Sequence, residues 1–351
     1  MRVLQLGPFP PPHGGIQTNL VAIREYLRRR GNPCGVINLT RHRKPNSDEV
    51  YYPASAGELL RLLLTLPYDI LHLHIGGNLT TRLLALSLTC CLIPGKKAVL
   101  SFHSGGFPSS PQGRKLDART VSAFVLRRFD AVIGINTAIV AWLATLGVAP
   151  ERLHYILPYT DVLEPAQSLS SPLEAFFGAH DPVLLTVGLL EPEYDLPLQI
   201  NTLGKIRESL PGAGLVIIGA GSLEADLRRA IAAMPWAEHI LLAGDVPHAV
   251  TLKATAEAAM LLRTTLYDGD SVSVREALRL GTPVIATDNS MRPPNVRLIP
   301  VNDAAALERA VLEQTQRAAL QQGRAQPEAT PPSYANLEAV LDVYKRLWDG
   351  R

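Results

Sequence analysis

The sequence predicts an α/β protein of two doubly wound domains placed in tandem. Three observations carry that expectation. Apolar runs of four to seven residues recur without polar alternation, which suits strands covered on both faces of a parallel sheet. Longer stretches of helical period separate the runs, as in βαβ units. The 351 residues also exceed the roughly 250–300 at which one hydrophobic core stops growing.

In the first half the strand-like runs fall at 2–6, 35–39, 69–74, 98–102, 130–135 and 155–157. In the second they fall at 182–187, 214–219, 239–243, 258–262, 283–286 and 296–299. The stretch 163–171, with Pro165 among Ser and Leu, reads as the linker. The expected domains are therefore 1–165, 166–326 and a last segment, 327–351. Pro327-Glu-Ala-Thr-Pro-Pro332 is a breaker cluster that ends the second domain's last helix. A final helix over 334–348 places Leu337, Val340, Leu341, Tyr344 and Leu347 on one face and is expected to dock on the N-terminal domain.

Composition excludes several classes. An apolar content of 47% is too high for a disordered chain, and a net charge of +2 gives no electrostatic case for nucleic acid. The longest apolar runs, 62–67 and 83–94, fall short of the ~18–20 residues that span a bilayer. Met1-Arg2 leads straight into a strand-like run without a secretory core, so a cytoplasmic protein is expected. Cys34, Cys90 and Cys91 form neither a disulfide framework nor a metal-ligand spacing. The stretch 82–97 mixes apolar residues with Arg82, Lys96 and Lys97, which suits either a core helix or peripheral contact with acidic lipid at the inner face of the cell membrane.

The most informative segment runs from Leu262 to Thr287. A strand ends near Arg263, a loop carries Asp268, Gly269 and Asp270, and a helix starts around Ser271, Val272 and Ser273. Ligands of open α/β sheets lie beyond the carboxyl ends of the strands, where helix N-termini offer free N–H groups to phosphate. Ser273 and Glu276 also have the spacing of a capping box, so Glu276 could simply close its own helix start.

Asp268 and Glu276, eight apart, followed by Ala-Leu, Gly281 and Pro283-Val-Ile-Ala286, resemble the E-x7-E signature of family 4 glycosyltransferases. Other segments are similar to that family: Gly7-Pro-Phe-Pro-Pro-Pro-His-Gly-Gly-Ile16, Asp69-Ile-Leu-His-Leu-His74, Phe102-His-Ser-Gly-Gly106, Phe129-Asp-Ala-Val-Ile-Gly-Ile-Asn136 and Val216-Ile-Ile-Gly-Ala-Gly-Ser222. The resemblance implies the GT-B fold, two Rossmann-like domains facing a central cleft. It implies a retaining hexosyltransferase that uses a nucleotide-diphosphate sugar without metal or cofactor, on a glycan or lipid-linked glycan acceptor. It makes His103, Asp268 and Glu276 the catalytic-site residues. Donor binding falls to Gly14, Gly15, Gly188, Arg263, Gly269, Asp270, Ser271, Val272 and Ser273, and the acceptor side to His74, Gly105 and Gly106. His72 is expected to point into sheet packing. A nicotinamide enzyme is disfavoured, because Gly7 and Gly14-Gly15 lack the dinucleotide spacing.

One departure stands out. The family carries an arginine and, five residues later, a lysine after the second domain's first strand, and these clamp the diphosphate. Aligned on Val187-Gly188, those positions hold Leu189 and Tyr194. Each charge-assisted phosphate contact is worth ~1.5–3 kcal/mol, more than a helix dipole alone supplies. Either Arg263, with Arg275 or Arg292, has taken over the role, as the similarity of Leu-Arg-Thr-Thr-Leu…Asp-Gly-Asp-Ser to a polysaccharide-biosynthesis branch suggests, or the chain is a catalytically impaired nucleotide-sugar-binding or partner subunit. Pro158-Tyr-Thr-Asp161 also departs from the usual Pro-Asn-Gly turn.

Overall fold

The computed structural model describes residues 1–11, 14–40, 43–158, 168–269, 271–321 and 334–350. The expected domain boundary near 165, most of the linker and the breaker cluster lie outside these residues. The chain divides into two compact units, one of Met1–Pro11, Gly15–Asp161 and Ser333–Arg351, the other of Pro12–Gly14 and Val162–Pro332.

The first unit contains β1 (Val3–Gly7), β2 (Cys34–Asn38), β3 (Val50–Tyr51), β4 (Ile70–Ile75), β5 (Lys97–Phe102), β6 (Ala131–Gly134) and β7 (Leu153–Tyr155). They form one sheet in the order β3-β2-β1-β4-β5-β6-β7, with every named pair parallel. Its helices are α1 (Gly15–Arg29), α2 (Ala56–Thr65), α3 (Thr81–Leu92), α4 (Val121–Leu126) and α5 (Thr137–Thr145). The second unit contains β8 (Val183–Val187), β9 (Gly214–Ile218), β10 (Ile240–Gly244), β11 (Met260–Arg263), β12 (Val284–Thr287) and β13 (Val296–Ile299), ordered β10-β9-β8-β11-β12-β13 and again parallel. Its helices are α6 (Ser171–Ala179), α7 (Leu196–Ser209), α8 (Glu224–Ala232), α9 (His248–Glu257), α10 (Val272–Arg279) and α11 (Ala304–Gln321). The last helix, α12 (Ala335–Asp349), belongs to the first unit.

The unalternating runs have a direct packing cause. In β1, Val3 enters the cluster shared with α1 and α12, while Leu4 and Leu6 enter the one on the opposite face. In β11, Met260 and Leu262 pack to one side and Leu261 to the other. Side chains alternate in direction, and each direction is covered, so these positions are apolar on both faces.

Helix α12 buries Leu337, Val340, Leu341, Val343 and Tyr344 against that first cluster. Each such side chain contributes about 1.5–3 kcal/mol, enough to hold a terminal helix in place. The apolar stretch at 83–94 lies mostly in α3, capped by Thr80. No helix among the described residues is long and apolar enough to cross a membrane.

Three strand expectations shift. The two-residue β3 gave no pattern to read, because its pairing to Val36 and Ile37 is imposed by the neighbouring edge. The strand expected at 155–157 is β7, fixed by pairing Leu153–Tyr155 with Val132–Gly134 after a short helical turn at Pro150–Arg152. The run at 258–262 starts too early, since Ala258 caps α9.

Candidate active site

In both sheets the strand order reverses beside the first strand, between β1 and β4 and between β8 and β11. Such switch points leave a crevice at the carboxyl ends, where functional side chains collect.

In the second unit the crevice is charged. Arg263, the last residue of β11, is 7% exposed. Its Nε donates to Asp268 Oδ2 at 2.8 Å and its Nη1 to the Val187 carbonyl at 3.1 Å. The guanidinium carbon lies 4.5 Å from the centre of the Tyr194 ring. From 24 residues downstream, Arg292 places Nη1 3.0 Å from the same Asp268 oxygen, with Nη2 on Thr265 Oγ1 and Nε on the Thr287 carbonyl. The other oxygen of Asp268 accepts from the Gly269 N–H at 2.8 Å. Burial pushes the Asp268 carboxyl up, but the two guanidiniums outweigh it and hold it below its ordinary value. Burial also works against the Arg263 charge, yet Asp268 and Tyr194 leave it raised. Both guanidiniums thus converge on one oxygen of a single buried carboxylate.

Gly188 permits this arrangement. A Cβ there would run into the Tyr194 ring and stand 3.1 Å from Arg263 Nη1. Tyr194, at the position of the expected lysine, thus backs the arginine instead of supplying a cation.

Helix α10 starts beside these groups. Ser271 is its N-cap but makes no side-chain capping bond; its hydroxyl meets Ser273 Oγ at 3.1 Å. Ser273 Oγ lies 3.5 Å from the Val187 carbonyl, and Val272 opens the helix. Asp270 lies outside the described residues. The capping-box alternative for Glu276 is not realised: its Oε1 pairs with His248 Nε2 at 2.8 Å, on the first residue of α9. Sequence reasoning missed His248, since 28 residues separate the partners and no local spacing connects them.

Among the described residues, the first unit's crevice gathers the uncharged side chains of Gln5, His74 and His103. His103 follows β5, its N–H bonded to the Ile75 carbonyl at 2.7 Å. Its Nε2 lies 3.1 Å from His74 Nδ1, and His74 Nε2 lies 3.0 Å from Gln5 Oε1. His74, expected on the acceptor side, is therefore buried with both ring nitrogens engaged. His72 is fully buried, held by Tyr344 Oη at 2.5 Å and Ser101 Oγ at 2.8 Å. Burial lowers all three rings: His103 to about 4, His72 to about 3 with help from His103, and His74 well below its ordinary value. Gly105 and Gly106 form the turn after His103. Gly14 precedes α1, and Gly15 is its exposed first residue. Gly7 closes β1 where a Cβ would stand 3.0 Å from His74 Cβ. Among the described residues no His, Cys, Asp and Glu cluster could hold a metal.

Residues 12–158 match the model of the glycosyl transferase 4-like domain, and residues 174–313 that of glycosyl transferases group 1. The chain belongs to the GT-B glycosyltransferases that pair these two domains. A comparison with curated proteins finds no match. Solved structures share the fold. Anabaena HepE, crystallised with UDP-glucose, is 17% identical with a TM-score of 0.70, covering 99% of this chain and 100% of that one. Sucrose-phosphate synthase from Thermosynechococcus elongatus is 16% identical at a TM-score of 0.69, each chain fully covered. WaaG, a glycosyltransferase of lipopolysaccharide biosynthesis, is 14% identical at 0.62 over 92% of each chain.

Proposed function

We propose that this glycosyltransferase moves a hexose, with retention, from a nucleotide-diphosphate sugar to a glycan or lipid-linked glycan acceptor, without metal or cofactor. The single observation that carries the donor side is the buried Arg263–Asp268–Arg292 cluster beside the start of α10. It puts two buried guanidiniums where Leu189 and Tyr194 leave the expected clamp without charge. Preorganised cations of this kind stabilise the charge that develops on a departing diphosphate. In this reading the N–H groups from Gly269 to Ser273, with Asp270, meet the diphosphate, and Gly188 leaves it room. Gly14 and Gly15 let backbone approach the donor at the start of α1. Glu276, steadied by His248, holds the ribose. Asp268 orients both arginines and has lone pairs left for the sugar.

His103 with the Gly105–Gly106 turn would serve the sugar and acceptor side, and His74 stands behind it. As the bond from the anomeric carbon to the diphosphate breaks, the acceptor oxygen bonds on the same face and its proton passes to the leaving group. A UDP sugar is the first donor to test, since UDP-glucose occupies the HepE structure. The protein would act in the cytoplasm, and basic Arg82, Lys96 and Lys97 around α3 suit peripheral contact with acidic lipid. The remaining 327–351 segment, through α12, completes the acceptor-side domain.

Thermal-shift screening against uridine, guanosine and adenosine diphosphate sugars should show stabilisation by one of them. Arg263→Ala should then weaken the nucleoside diphosphate about 10- to 100-fold, the worth of one charge-assisted phosphate contact, and the bare nucleoside little. Equal loss for both ligands would remove Arg263 from the diphosphate. Glu276→Gln should sharply reduce donor binding or turnover, and a mutant equal to the wild type would end its ribose role. Donor binding with no transfer to any acceptor would favour the partner-subunit reading, which Leu189 and Tyr194 keep in play.

A further inference from the structure

We propose that Gln5 and His74 are positioning residues that fix the ring tautomer of His103. They would make it present an unprotonated Nδ1 as a hydrogen-bond acceptor for a donor-sugar hydroxyl. The ligand part rests on the proposed function; the tautomer does not.

The assignment starts at Gln5, buried in β1. Its Nε2 donates to the Leu20 carbonyl at 3.0 Å and lies 3.4 Å from Cys34 Sγ. A carbonyl only accepts, so the carboxamide nitrogen must face Leu20 and its oxygen must face His74. That oxygen, 3.0 Å from His74 Nε2, can only accept in turn, so His74 carries its proton on Nε2. A neutral imidazole has one N–H, which leaves His74 Nδ1 as a bare lone pair. The ring nitrogen 3.1 Å away, His103 Nε2, must then be the donor. His103 is left with a proton-free Nδ1.

Reversing any one member of this line sets two acceptors or two donors against each other in a buried site. That costs more than the bond itself, because the buried group goes unsatisfied. Neutrality is required as well, and desolvation of the buried His74 and the half-buried His103 favours it. His72, its ring tilted against His74 with centroids 4.1 Å apart, does not compete, since Tyr344 and Ser101 hold its two nitrogens. An acceptor at His103 suits a hydroxyl, which must donate, and it would disfavour a second carbonyl or phosphate oxygen at that spot.

The test is nitrogen-15 NMR of the histidine rings in the ligand-free full-length protein at neutral pH. Wild type should show His74 and His103 each as a single Nε2–H tautomer. Gln5→Met, close in size but unable to hydrogen-bond, should move both Nδ1 shifts toward values averaged between tautomers. Ser101→Ala, which removes a hydroxyl bonded to His72 and leaves the backbone pairing with His74 in place, should leave His103 unchanged. A protonated His103 Nδ1 in wild type would overturn the proposal even if Gln5→Met did not fold. Identical His103 shifts in wild type and a folded Gln5→Met would do the same. In turnover, Gln5→Met should lower kcat about five- to tenfold with donor KM changed less than about twofold, the size of one lost hydrogen bond in the transition state. A folded Gln5→Met with unchanged kcat overturns the link to the sugar. If the tautomers behave as stated and no nucleotide sugar binds, the relay stands and the proposed function falls.

Discussion

At its switch point the first unit lines up Gln5, His74 and His103, while the second gathers Arg263, Asp268 and Arg292. Both groups sit at the ends of buried parallel strands, with Gln5, His74 and Arg263 buried and His103 and Asp268 half-buried. The first stays neutral and is specified by the direction of each hydrogen bond. The second is charged and is specified by balance, two guanidiniums around one carboxylate. A neutral relay tolerates burial as long as every donor meets an acceptor. A charged cluster tolerates it only while its counter-ion remains.

The sharpest way to break this contrast is to remove the counter-ion. Asp268→Ala removes the carboxylate oxygen that both Arg263 and Arg292 bond. The second unit should lose about 3–5 kcal/mol of stability, read by urea unfolding. A loss under about 1 kcal/mol would mean the cluster is hydrated well enough to need no balance.

Acid separates the two units next. The three histidine rings of the first are lowered by burial, His103 from near 6.5 to about 4. A base whose folded value is depressed binds fewer protons folded than unfolded, so stability rises with pH across that interval. The contribution is complete above about pH 6.5 and disappears as pH falls toward 4, with a slope of up to ~1.4 kcal/mol per pH unit for each ring. Asp268 is also depressed, but as an acid its contribution holds above about pH 4 and is lost only below it. His239 adds a smaller histidine effect to the second unit. Acid titration followed by hydrogen exchange should therefore show the β4 and β5 amides losing protection first. Simultaneous loss in both sheets would contradict the neutral–charged division.

The contrast also governs what could be read in advance. The sheets were legible because strands buried on both faces must be apolar throughout, as at 69–74 and 98–102, and the helices between them keep their period. β3 was not, since two residues carry no pattern. Arg263, Asp268 and Glu276 stood out by lying between a strand end and a helix start. Arg292 was readable only as a nearby cation and His248 not at all, because both reach their partners only through the chain's return around the sheet. His103 was visible as a histidine at a strand end, whereas the bond that orients it depends on Gln5, 69 residues before His74 and polar in an apolar strand. A lone polar residue in such a run is itself the signal: burial there obliges a partner.

The smallest expected effect tests whether the first unit's polar line is one network or two. Tyr344 anchors α12 with its ring fully buried and its hydroxyl 2.5 Å from His72 Nδ1. Tyr344→Phe keeps the ring among Leu337, Leu341 and their neighbours, so the helix should stay docked. It leaves one buried nitrogen of His72 without its partner, which should cost about 1–2 kcal/mol in equilibrium unfolding. Because the His72 ring lies tilted against His74 while its nitrogens bond Tyr344 and Ser101, the ring shifts of His103 should not move. A tautomer change at His103 in Tyr344→Phe would join the two lines into one and extend the positioning role from Gln5 to the last helix.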